Sequence, residues 1–124
     1  MTTNFKKSEF DCKCGCKMPP KVLANVVKTA DNLQVLRDAL GEPIKINSAY
    51  RCNSHNLASG GVKSSKHTLG IATDLATNNP ESLFNTIEEL ISKGILKEGG
   101  LGIYNTFVHY DTRGEKARWD YRKD

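Results

Sequence analysis

The chain has 124 residues, 38% of them hydrophobic and 26% charged, with a net charge of +4 from 18 Lys and Arg against 14 Asp and Glu. That length suits one domain with a single modest core, and the balance of apolar and charged residues excludes a disordered chain. No apolar run approaches the roughly 18 residues of a membrane-spanning helix, so no membrane insertion is expected, and the mild positive bias is compatible with an anionic surface such as a bacterial wall or nucleic acid.

The opening stretch, "MTTNFKKSEFDC", lacks the apolar segment of a signal peptide, and the expectation is cytoplasmic synthesis without one. Three cysteines then alternate in "CKCGC" (Cys12, Cys14 and Cys16), and a fourth, Cys52, directly follows Arg51. Structural zinc sites generally use wider spacing such as C-x-x-C pairs, which makes a four-cysteine site a moderate fit. Cytoplasmic thiols stay reduced, whereas outside the membrane one of the three is able to bridge to Cys52. A bond between alternating cysteines is geometrically poor. The cysteines are given a structural role without a named partner, and residues 1–18 are expected to pack as a Cys-rich segment onto a single domain spanning 1–124.

"PPKVLANVVKTADNLQVLRDALG" reads as a helix, with Val22, Leu23, Val26, Val27, Ala30, Leu33, Leu36 and Leu40 on one broad stripe. Pro20 fits its first turn and Gly41 its stop. "PIKINSAY" reads as a short strand, with Ile44 and Ile46 alternating against polar neighbours. A loop, "NSHNLASGGVKSS", leads to His67, and "GIATDLA" forms a second strand. "NNPESLFNTIEELISKG" is the clearest helix: Asn79 caps it, Pro80 opens it, Gly94 ends it, and Leu83, Phe84, Ile87, Leu90 and Ile91 form its buried face.

"GGLGIYNTFVHYD" reads as two strands joined at Asn105–Thr106, pairing Tyr104 with Phe107 and Gly102 with His109. Alternation then sends Leu101, Ile103, Val108 and Tyr110 to the core. It leaves His109 and Asp111 on the other face, opposite Gly100 and Gly102, where the two glycines open space for a metal to approach His109. The mixed-sign end, "RGEKARWDYRKD", reads as a solvated tail.

"SSKHTLGIATDLA" places His67 seven residues before Asp74, with Gly70 to turn the chain between them. With His109, these residues form two imidazoles and a carboxylate, a set suited to a catalytic zinc that keeps one position open. Spacing alone leaves this open, because a chain with three histidines and many acids always offers some such trio. His55 competes as a ligand and reads better as a hydrogen-bonding residue of its loop.

"INSAYRCNSHN", "GGVKSSKHTLGIATD" and "GGLGIYNTFVHYDTRGEKARW" together resemble the small bacterial and phage peptidases related to zinc D-alanyl-D-alanine carboxypeptidases. That group shares its core fold with VanX-type dipeptidases and the hedgehog signalling domain. The resemblance runs from about Phe10 to Trp119 on three ordered motifs: S-x-Y-R, S-x-H with six residues to D, and V-H-x-D. "EFDCKCGC" is similar to a segment common in the phage-associated branch. The resemblance implies that His67, Asp74 and His109 hold one catalytic zinc ion, and that Arg51 holds a substrate carbonyl or carboxylate through its forked donors. It implies hydrolysis of an amide bond in a peptidoglycan stem peptide, by an endolysin-type or carboxypeptidase enzyme of phage or prophage origin. Such an enzyme acts on the wall after release or as part of a virion.

Relatives often carry the general base as a His two residues before the last zinc histidine or an acid three before it. Phe107 and Thr106 stand at those positions here. Asp111 is the nearest substitute on the same strand face, its other reading being a partner that orients His109; Glu98 is a weaker choice. The expected fold is α+β, a small, mostly antiparallel sheet carrying the zinc site with the two helices packed on its other side. The expected chain is a monomer whose partner is the peptidoglycan peptide, with no nucleic acid. A zinc-holding wall-binding module that does not cleave is the alternative, and a nucleic-acid-binding zinc protein a weaker one.

Overall fold

The computed structural model describes residue 2 and residues 5–13, 15, 17–52 and 66–123. Cys14, Cys16 and His55 lie outside the described residues.

Helix α1 (Pro20–Leu40) begins where its Pro has no N–H to waste, and ends at Gly41, whose φ of 72° lets its N–H reach the Arg37 carbonyl. Its buried side is Val26, Thr29, Ala30, Leu33 and Leu36. This stripe is narrower than the sequence pattern, for Val27 is 42% exposed. Helix α2 (Pro80–Ser92) is capped by Asn79, whose Oδ1 accepts the Ser82 N–H at 3.1 Å. Leu83, Ile87 and Leu90 are buried, with Phe84 and Ile91 at the core's margin. No helix among the described residues is long and apolar enough to cross a membrane.

The described strands are β1 (Lys45–Ser48), β2 (Ala72–Ala76), β3 (Gly100–Ile103), β4 (Phe107–Asp111) and β5 (Ala117–Asp120), arranged β1-β2-β4-β3-β5. Every neighbouring pair is antiparallel except β3 and β5, which run parallel. The fold is thus the expected small α+β type. The β3–β4 hairpin has the register that alternation dictates, Gly102 opposite His109, and closes with the Tyr104 N–H on the Phe107 carbonyl at 3.0 Å. Leu75, Leu101, Ile103, Val108 and Tyr110 are buried in one cluster with the apolar faces of α1 and α2. The opposite face is left for the site.

Strand β5 corrects the reading of the C-terminal stretch as a solvated tail. Charge does not prevent a strand there because Arg118 is neutralised. Its guanidinium lies 2.8 Å from Glu88 of α2 and from Glu98, and donates to the carbonyls of Gly99 and Ala117. The N-terminal segment also contributes to the core, through buried Phe5 and Phe10 in edge-to-face contact.

Candidate metal centre

One transverse row of the sheet builds the centre. Ser48, Asp74, His109, Gly102 and Trp119 stand side by side on β1, β2, β4, β3 and β5 in that order. Ser48 joins the row through an irregularity between Ile46 and Ser48. A bulge of this kind changes which face a side chain meets: Ile46 stays in the core while Ser48 comes opposite Asp74.

His67 reaches the row from outside the sheet, on a single 3-10 turn (Lys66–Leu69). Helix α1 pins that turn, with Asn25 donating to the Leu69 carbonyl and the Thr29 hydroxyl to that of Gly70, both at 2.9 Å. Gly70 has φ +76°, and a side chain there would run into Val22 and Val26. The His67 carbonyl accepts the N–H groups of both Gly70 and Arg51. The residue preceding Cys52 is thereby tied by backbone to the first histidine of the trio.

The ligand atoms of His67, Asp74 and His109 all lie within 4.8 Å of one another. All three are buried, with relative exposures of 3%, 7% and 8%. Nδ1 of His67 is 2.6 Å from the Ala49 carbonyl, which only accepts, so Nδ1 carries the proton and Nε2 presents a lone pair. Nε2 of His109 is 2.8 Å from Asp111 Oδ2 and carries its proton in the same way, leaving Nδ1 as the second lone pair. Both lone pairs meet the same oxygen, Asp74 Oδ1, at 3.3 and 3.1 Å. Three acceptor atoms converging on one point call for a cation among them, and two imidazoles with a carboxylate are a zinc set.

The electrostatics agree. Burial alone raises the Asp74 carboxyl, but hydrogen bonds and charge from His109 and His67 overcome it and hold the group below the usual carboxylate range. Burial alone lowers His109, and the Asp111 and Asp74 carboxylates reverse that and raise it above an ordinary imidazole. The field that attracts a proton to this spot also attracts a metal ion.

Arg51 lies at the rim, its Nη2 3.1 Å from Asp74 Oδ2 and its Nε donating to the Ser48 hydroxyl at 3.1 Å. Asp111 is fully buried, and both its oxygens are engaged. Oδ1 accepts from the Gly100 N–H and Arg113 Nε, and Oδ2 from Arg113 Nη2 and His109. Glu98 stands with Arg118, whose strand neighbour across β3 is core-facing Leu101, so it belongs to the helix side of the sheet.

The open space expected over the two glycines is filled. The Trp119 indole lies across Gly102, where a Cβ would strike its ring, and the Asp111 carboxylate and Arg113 crowd Gly100 likewise. Nδ1 of His109 points to Asp74 of β2 instead. Trp119 lies 5.1 Å from the His109 ring between centroids and donates its indole N–H to the Tyr104 hydroxyl at 3.0 Å. The Arg113 guanidinium stands 5.7 Å from its centroid. Sequence reasoning missed Trp119, Arg113 and Ser48. The alternation of Ala117, Trp119 and Tyr121 with Arg118, Asp120 and Arg122 was the available signal for β5.

Compared with known families, residues 3–111 match the family described as Peptidase M15. No curated protein matches the chain.

Proposed function

The chain belongs to the Peptidase M15 family, and from that premise we propose that it is a zinc peptidase that hydrolyses an amide bond in the stem peptides of peptidoglycan. Membership supports zinc-dependent peptidase activity, and the convergence of His67, Asp74 and His109 on one point carries the assignment of the site. These three residues would hold the ion, with Nε2 of His67, Oδ1 of Asp74 and Nδ1 of His109 as the atoms that face one another. When bound, zinc supplies Lewis acidity toward the scissile carbonyl and acidifies water to a pKa near 7.

The protein's own groups supply charge and positioning. Arg51, fixed by Asp74 and Ser48, places a permanent positive charge beside the oxygen on which negative charge develops. Asp111 keeps the proton of His109 on Nε2, and Arg113 keeps Asp111 ionised. With both oxygens committed, Asp111 is a positioning residue. The Trp119 indole, braced by Tyr104 and Arg113, walls the site on the β5 side.

The wall as substrate and a phage or prophage origin belong to the same proposal, supported by the three motifs and the mild positive charge; a monomeric state is proposed with them. The second reading, a module that holds zinc and binds wall without cleaving it, is favoured by one observation. At the position of the expected base stands Phe107, stacked on Tyr104 at 4.2 Å. Release of new amino groups from purified peptidoglycan by the zinc-loaded chain tests the first reading; zinc uptake and wall binding without such release establish the second.

A further inference from the structure

Cys12 and Cys52, far apart in sequence, meet in space. Their sulfurs are 3.7 Å apart, and the Cys52 N–H points at Cys12 Sγ at 3.4 Å. A disulfide holds its sulfurs about 2.05 Å apart, so no bond joins them. Two thiolates about 2.3 Å from one tetrahedral zinc stand about 3.8 Å apart, close to the separation seen. An amide N–H directed at sulfur stabilises the thiolate form that a metal requires.

The chain turns directly after Cys12. Cys12 is buried, and its carbonyl accepts the Gly15 N–H at 3.0 Å, closing a turn within "CKCGC" in which Gly15 takes φ +82°. The Tyr50 N–H bonds the Phe10 carbonyl at 3.1 Å, so the segments bearing Cys12 and Cys52 run together before the sulfurs meet. All four cysteines of the chain fall in these two segments, Cys14 and Cys16 within four residues of Cys12 in sequence. The spacing objection to a four-cysteine site concerned alternating residues of one segment; the fold brings a ligand from the other.

We propose that Cys12 and Cys52 are ligands of a second, structural metal ion of the zinc class, completed by thiolates of the "CKCGC" run. Soft sulfur donors select such an ion. The ion clamps the N-terminal segment to the residue after Arg51, and through the Arg51 N–H on the His67 carbonyl it steadies the rim of the catalytic centre.

The test uses the full chain, reduced and loaded with zinc, as wild type, Cys52→Ser and His109→Ala. The expected metal content is about two ions per chain for the wild type and about one for each variant. With cobalt in place of zinc, wild type and His109→Ala are expected to show a thiolate-to-cobalt charge-transfer band that Cys52→Ser lacks. If Cys52→Ser does not fold, the band of the His109→Ala protein decides alone. Folded His109→Ala protein with no bound metal and four freely titrating thiols overturns the proposal, as does a Cys12–Cys52 disulfide in protein purified without oxidant.

Discussion

The Asp111 carboxylate lies 2.8 Å from Nε2 of His109, and this bond leaves Nδ1 of that ring as the nitrogen turned toward Asp74. Burial alone raises the carboxyl, but Arg113, His109 and the Gly100 N–H together hold it well below the usual range, so it accepts at every working pH. In Asp111→Asn an amide N–H₂ is able to face Nε2, which moves the ring proton to Nδ1 and blocks the ligand. Zinc affinity at the His–Asp–His site is expected to fall about 10- to 100-fold, measured by competition with a chelator. Unchanged affinity removes Asp111 from the positioning role.

Arg51→Ala tests the charge at the rim. Loss of a donor aimed at a developing oxyanion typically lowers kcat by about 10²- to 10³-fold, and that loss is expected here. The three ligands remain, so metal content at their site is expected to stay. Arg51→Lys keeps the charge but not the fork that spans Asp74 and Ser48, and should recover only part of the rate. Wild-type kcat in Arg51→Ala contradicts the role.

Gly102→Ala tests the wall beside the site. An added Cβ meets the Trp119 indole, and β3 is too confined by its neighbours to move away. The indole must leave His109 and Tyr104, which shifts the emission of the chain's one tryptophan. The expected outcome is a red-shifted fluorescence maximum and reduced turnover, with far-ultraviolet dichroism retained. An unshifted spectrum contradicts the placement of Trp119.

Tyr110 joins α1 to the sheet: its hydroxyl accepts from Asn32 and donates to the Lys97 carbonyl, both at 2.6 Å. Tyr110→Phe is expected to cost about 1–2 kcal/mol at neutral pH. Burial pushes the phenol up from 10.0 to about 12. A raised folded value means that its contribution is whole below pH 10 and fades as pH rises through 12. Urea denaturation is therefore expected to show the gap between wild type and Tyr110→Phe narrowing over that window; a gap constant with pH contradicts the buried, neutral phenol.

What was legible in the sequence was what depends on local pattern. Pro20 and Gly41, Asn79 and Pro80, and the alternation from Leu101 to Tyr110 each act within a few residues, and the structure realises each of them. What was not legible depends on distant partners. β5 is a charged strand because Glu88 and Glu98 neutralise Arg118, and it runs parallel to β3, which no hairpin signal announces. Ser48 meets Asp74 only through a bulge. The glycines opposite His109 suggested open space, but they are there to admit the Trp119 indole and the Asp111–Arg113 pair. His67, Asp74 and His109 were readable as a set, while the atoms that fix their tautomers, the Ala49 carbonyl and the Asp111 carboxylate, became apparent only in three dimensions.

The most direct test sets the wild-type chain beside His109→Ala and measures zinc content and hydrolysis of purified peptidoglycan on the same preparations. The account predicts that the substitution removes one zinc ion per chain and abolishes the release of amino groups, with the fold retained. Full zinc content in the variant, or hydrolysis that survives the substitution, contradicts it.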